Sequence, residues 1–307
     1  MELDETIKKA HQMELDETIK KAHQMEYEHS KKTNWRDKIA AFPWWLAGIV
    51  LLLVIAFIAI ATSQNYKDAF QFIITGINVT ITTTLISFLI ALIIGLLTGL
   101  GRISSNLVLK NLSTFYVEII RGIPMLVLIF FIALVLVPAF VTIINQLGVG
   151  ITEFGFEKVG AIFTGLKIKQ ISMTFRAIAA LSITYGAFLA EIFRAGIQSV
   201  GYGQMEAARS QGMSYTQAMW YIILPQAIRN ILPALGNDFI SMLKDSSLVS
   251  ILAIRDITQV ARLYGNSSFD FPAAYTTLAT IYLAMTLILS MLVKLLERRY
   301  QQNGPNK

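Results

Sequence analysis

The 307-residue chain contains no cysteine. Disulfides, thiolate nucleophiles and cysteine-ligated zinc are therefore excluded, and nothing in it reports a redox compartment. Charge is scarce as well: Asp, Glu, Lys and Arg make up 15% of the residues, against about 25% in soluble domains. The three histidines, His11, His23 and His29, match no usual metal-ligand spacing and read as solvated. The chain has no G-x-x-x-x-G-K-[ST] phosphate loop. No Ser/His/Asp set stands at usable spacing either, so a chain that does its own chemistry is disfavoured. What it has in excess is apolar residues, 54% of the total with a mean hydropathy of +0.56. They come in runs too long for a soluble core. The net charge of +6 would suggest nucleic acid in a soluble protein; here it serves to orient membrane spans.

Charge is concentrated at the start. Residues 1–38 hold 8 of the 26 basic and 9 of the 20 acidic residues. The segment MELDETIKKAHQ at 1–12 recurs at 13–24. A 12-residue period rotates a helix about 120° past a full turn, so the apolar stripe Leu3, Ile7, Ala10 is not continued by the second copy. Residues 1–43 read as a frayed, charged cytoplasmic tail.

The remainder reads as an all-α integral membrane protein. A helix needs about 20 apolar residues to cross the ~30 Å hydrocarbon core. Six segments qualify: about 44–62, 72–100, 115–138, 174–198, 228–252 and 274–296. Trp44 and Trp45 suit an interfacial position. Ala59-Ile60-Ala61 resembles a signal-peptide cleavage site, but the long preceding tail and long apolar run favour a retained anchor. The excess of Lys and Arg places the N-tail, the 101–112 and 199–227 loops and the 301–307 C-tail in the cytoplasm. Segment 139–173, with Gly148, Gly150, Gly155, Gly160 and Gly165, reads as a long external loop. It is either a plain cover or a surface helix or hairpin that meets an external partner.

The 199–227 loop carries the sharpest pattern: Glu206-Ala207-Ala208, Gly212 and then Leu224-Pro225. Ala207 and Ala208 are small enough for a short helix to approach another surface. Gly212 allows positive φ and ends that helix at a tight turn. Pro225 lacks an N–H and restricts Leu224, so it should punctuate the start of the fifth span. A rigid cytoplasmic helix of this kind suits docking and the transfer of force.

This spacing resembles the EAA loop of importer-type ABC transporter permeases. Further stretches resemble the polar amino-acid permeases of that class: Arg121-Gly122-Ile123-Pro124, Tyr185 to Gly196, and Lys244-Asp245-Ser246-Ser247-Leu248-Val249-Ser250. The likeness spans about 70–300, which would form the permease core. It departs in the additional N-terminal span, the repeated tail and the 139–173 loop. The resemblance implies a type I importer fold with a five-helix core, in a bacterial inner or plasma membrane. It implies two permease subunits (a homodimer or a heterodimer), two ATP-binding subunits holding ATP and Mg, and an extracytoplasmic solute-binding protein. No cofactor is expected on this chain. Glu206, Ala207, Ala208, Gly212, Leu224 and Pro225 would form the coupling element.

Ionisable groups at bilayer depth cost about 2.5–3.5 kcal/mol each on insertion scales and usually mark a pathway. Asp238 and Asp245, seven residues apart, share a face of the fifth span; Thr184 and Glu191 do so in the fourth. A buried carboxylate suits an α-ammonium, and a hydroxyl or lysine suits an α-carboxylate. Asp238, Glu191, Thr184, Ser246, Lys244 and Asp245 are therefore candidate pathway residues. The competing reading makes Lys244–Asp245 and Glu191–Arg194 internal ion pairs that hold helices together. Gly95 and Gly99, with Ala91, form a close-contact face. The rival to an ATP-driven importer is a secondary transporter or channel, which explains the polar residues but not the Glu206 to Pro225 spacing. The sequence does not separate glutamine, glutamate, cystine, histidine or arginine as cargo.

Overall fold

The computed structural model describes residues 18–21 and 44–302, and among these every regular element is helical. The repeat outside 18–21, the three histidines and residues 303–307 lie outside the described residues. The chain divides into two compact units, 1–55 and 56–307. In the first, residues 18–21 and the opening of helix α1 (Trp44–Thr62) are helical, and Trp44 and Trp45 are exposed. The second unit holds α2 (Gln64–Ile73), α3 (Ile77–Arg102), α4 (Leu107–Gly122), α5 (Met125–Phe131), α6 (Val137–Glu153), α7 (Glu157–Thr164) and α8 (Met173–Gln198). It continues through α9 (Tyr202–Ser210), α10 (Tyr215–Ala218), α11 (Leu224–Asp245), α12 (Ile257–Ser268) and α13 (Phe271–Gln302).

Four described stretches are long and apolar enough to cross a membrane: Gln64–Arg102, Met125–Glu153, Met173–Gln198 and Phe271–Arg299. Helix α11 has the length, at 22 residues, but carries Arg229, Asp238, Lys244 and Asp245.

Helix α3 shows how such a bundle is sorted. Its buried positions are Thr80, Thr83, Thr84, Ser87, Ala91, Gly95 and Gly99, whereas Ile81, Leu85, Leu89, Ile93 and Leu97 are exposed. Small and hydroxyl side chains face protein and large apolar ones face outward, because lipid offers apolar groups no reason to turn inward. The small stripe lies along α8. A Cβ on Gly95 would stand 2.7 Å from Leu189 Cβ, and one on Gly99 would stand 2.8 Å from the Ala190 carbonyl oxygen. The two backbones therefore touch. Some hydroxyls are satisfied locally or across this seam: Thr84 donates to the Thr80 carbonyl at 2.8 Å and Ser182 to the Ser87 carbonyl at 3.2 Å, whereas the buried Thr83 hydroxyl has no partner among the described residues.

Two sequence expectations need revision. The third span does not run unbroken over 115–138. Helix α4 starts at the Asn106 cap, whose side chain accepts from the Val108 and Leu109 N–H groups, and stops at Gly122. Ile123 is held extended before Pro124, as the proline ring demands. Helix then resumes at Met125 and continues to Glu153 through a π-turn at Ile132–Leu136. Segment 139–173 is correspondingly a helical hairpin of α6 and α7 rather than an irregular loop. Glycines that read as loop formers act as contact points: a Cβ on Gly148 would meet Phe163 Cβ at 2.8 Å. At the hairpin base the buried Arg176 donates to the Ile168 carbonyl at 3.0 Å and to that of Ala133, inside the π-turn, at 3.5 Å.

Candidate functional site

Helix α9 carries Glu206, Ala207 and Ala208. Glu206 and Ala207 are exposed, while Ala208 is buried and turns the helix toward the π-turn at Met219–Ile223. The helix ends as Gly212 allows. Gly212 has φ +85°, its N–H bonds to the Arg209 carbonyl at 3.0 Å, and the Met213 N–H bonds to that of Ala208 at 3.2 Å. These two bonds make a Schellman stop, in which a left-handed residue satisfies carbonyls that the helix leaves open. One residue later Ser214 caps the next helix. Its hydroxyl accepts from the Gln217 N–H at 3.2 Å, and the Gln217 side chain accepts from the Ser214 N–H at 2.8 Å.

Pro225 does not break the chain as expected. The backbone is helical from Tyr215 through Asp245, with Leu224 and Pro225 directly after the π-turn. That wide turn changes the hydrogen-bond register just ahead of the residue that has no donor, so the missing N–H costs little. The loop is tied at both ends. Gln226 of α11 reaches Gln204 of α9 at 3.5 Å, and Asn230 donates to the Ser199 hydroxyl at the end of α8 at 2.8 Å. These contacts join α9 to α11, and α11 to the end of α8.

One turn above the loop, an ionic cluster fixes α3, α4 and α8. Arg102 donates to Glu191 at 2.8 Å and to Glu118 at 3.3 Å, and Arg194 closes a second pair with Glu191. The Arg102 side chain is only 13% exposed, so these carboxylates replace much of the water that would otherwise solvate it.

The polar residues of α8 and α11 separate into distinct environments. Asp245 accepts from the Tyr185 hydroxyl at 2.7 Å, and Asp238, half-buried, lies within electrostatic reach of both. Lys244 is exposed and makes no ion pair among the described residues, so the Lys244–Asp245 pairing does not form. Glu191 is held in the ionic cluster by Arg102 and Arg194. Thr184 is fully buried and its hydroxyl has no partner among the described residues; Ser246 donates to the Leu243 carbonyl at 2.7 Å. Helical spacing alone does not single out Tyr185. The signal available is a phenol placed among alanines and glycines in the middle of an apolar span.

Residues 91–302 match the family model described as "Binding-protein-dependent transport system inner membrane component". The chain belongs to this family. It is a multi-pass membrane protein and the permease subunit of an ABC transporter, not itself the ATPase, and it works with ATP-binding subunits and a second permease. The chain is similar to the probable glutamine ABC transporter permease protein GlnM of Bacillus subtilis (strain 168), at 38% identity over 202 residues, covering 66% of this chain and 81% of that protein. The nopaline transport system permease protein NocM of Agrobacterium fabrum (strain C58 / ATCC 33970) is 32% identical over 236 residues, covering 76% and 90%. Among solved structures, an amino acid ABC transporter crystallised with histidines matches at 38% identity and a TM-score of 0.61, covering 76% of this chain and 95% of that one. An inward-facing MetNI methionine ABC transporter, 19% identical with a TM-score of 0.57, shares the fold. The reading as a self-sufficient transporter or channel is set aside.

Proposed function

We infer that this permease admits a polar amino acid, delivered by an extracytoplasmic solute-binding protein and driven by ATP and Mg held on two docked subunits. The observation that carries the amino-acid assignment is the 38% identity over 95% of the length of a solved amino acid ABC transporter. Orientation follows the Lys and Arg distribution, with both termini and helix α9 in the cytoplasm. Glu206 and Ala207 face the ATP-binding subunit, Ala208 seats the helix, and Gly212, Leu224 and Pro225 set its exit. Closure of the ATP-binding pair moves the two α9 helices together. The Gln204–Gln226 and Ser199–Asn230 contacts pass that motion to α8 and α11.

Between those two helices, Asp238, Asp245 and Tyr185 form the polar group best suited to an α-ammonium. Thr184, Ser246 and Lys244 are adjacent along the same helices, and Glu191 acts from the ionic cluster behind. The test is uptake of radiolabelled glutamine, glutamate, arginine, histidine and cystine by the reconstituted complex. Asp238→Asn is expected to cut uptake at least tenfold, with assembly and basal ATP hydrolysis retained. Unchanged uptake removes Asp238 from the pathway, and uptake of none of the amino acids overturns the substrate class.

A further inference from the structure

Helices α3, α11 and α13 line a trough outside the polar group of α8 and α11. It comprises an upper cavity of about 410 Å³ and a lower cavity of about 250 Å³, and Phe239 lines both. Phe239 packs on Phe88 with ring centroids 4.7 Å apart, which sets the waist of the trough. Along α3 the lining runs from Ile77 to Leu92, about 22 Å at 1.5 Å per residue. The trough opens to the outside of the bundle, since Leu85, Ile288, Leu292 and Leu296 on its rims are 44–61% exposed. In the upper cavity the polar lining residue is Thr84, whose hydroxyl already donates to the Thr80 carbonyl.

The length of the trough exceeds half of the ~30 Å hydrocarbon core, and its almost wholly apolar lining suits an acyl chain from one leaflet. The lower mouth says which head group belongs there. Glu297 lines it, with Lys294 and Arg298 exposed beside it on α13, and Arg229 lies one turn before the lining residue Leu232 on α11. A carboxylate set among basic groups matches a head group that carries both an ammonium and a phosphate. We propose that this trough binds a phospholipid with an amine-bearing head group. One acyl chain lies along Phe239, the ammonium meets Glu297, and the phosphate meets Arg298 and Arg229.

The test is native mass spectrometry of the assembled transporter, extracted from membranes rich in phosphatidylethanolamine and phosphatidylglycerol. The expected result is phosphatidylethanolamine retained on each copy of the chain. Leu289→Trp, which fills the slot, should lower retention at least fivefold, and Glu297→Gln should shift the retained lipid toward phosphatidylglycerol. Absence of retained lipid, or equal retention in Leu289→Trp, overturns the proposal. Where that variant does not assemble, Leu289→Cys serves instead, since the chain has no cysteine of its own. A disulfide between two copies in the membrane would put protein in the slot and overturn the assignment. Release of retained phosphatidylethanolamine on bulky-maleimide labelling would support it.

Discussion

Replacing Gly212 with alanine separates backbone strain from packing at the coupling helix. A Cβ at this position would meet nothing within 4 Å, so sterics contribute no penalty. The cost lies in φ +85°, a left-handed conformation that costs an L-residue roughly 1–2 kcal/mol. The restricted unfolded chain returns about 0.4–1 kcal/mol of this, leaving roughly 1 kcal/mol net. That amount, held locally, weakens the two bonds that end α9, Gly212 N–H to Arg209 and Met213 N–H to Ala208. Hydrogen–deuterium exchange of the residue 212 and 213 amides in the assembled complex should accelerate about fivefold, given RT of about 0.6 kcal/mol. Asparagine tolerates the left-handed region better, so Gly212→Asn should lose less than Gly212→Ala. The amino acid imported per ATP hydrolysed should fall in the same order. Equal exchange in wild type and Gly212→Ala, or an asparagine variant worse than alanine, refutes the reasoning.

Glu191→Ala leaves the Arg102 guanidinium with only the exposed Glu118. Breaking a buried pair costs about 3–5 kcal/mol, and partial solvent access at Glu191 reduces this to about 1–3 kcal/mol. A melt of the solubilised complex should show the loss, and Glu191→Gln, which keeps an acceptor for Arg102 and Arg194, should lose less than Glu191→Ala. Asp256 caps α12 by accepting from the Gln259 N–H at 2.9 Å, yet burial pushes its carboxyl up to about 6. Its neutral form is therefore favoured in the fold, and its contribution to stability is complete below about pH 4 and lost as pH rises through 6. Asp256→Asn keeps the cap acceptor and removes this dependence. Its amide nitrogen takes the place of the unpartnered Oδ2, so the gain at neutral pH is reduced to on the order of 1 kcal/mol, and the melting profile is flatter between pH 4 and 7.

Local features were legible where local rules decide them. The apolar runs located the helices Ile77–Arg102, Met173–Gln198 and Phe271–Gln302, the Ala91-Gly95-Gly99 stripe marked a close-contact face of α3, and Gly212 announced its turn. The sequence left 139–173 open between a plain cover and a surface helix or hairpin, because a glycine at a close helix contact and a glycine in a loop read alike. Pro225 misled because the π-turn that absorbs it follows from no propensity of Met219–Ile223. The fate of each carboxylate was decided at long range. Glu191 is claimed by Arg102, 89 positions away, and Asp245 by Tyr185, 60 positions away. Helical spacing alone grouped Glu191 with Thr184 on one face. It did not show that Arg102 and Arg194 both claim the Glu191 carboxylate.

The central claim is that helix α9 receives work from ATP-binding subunits and that this chain moves nothing uphill alone. Proteoliposomes holding the permease with those subunits and the solute-binding protein should accumulate amino acid only when ATP is supplied on the α9 side. Glu206→Ala should uncouple hydrolysis from uptake. Accumulation by the permease without any ATP-binding subunit would contradict the account.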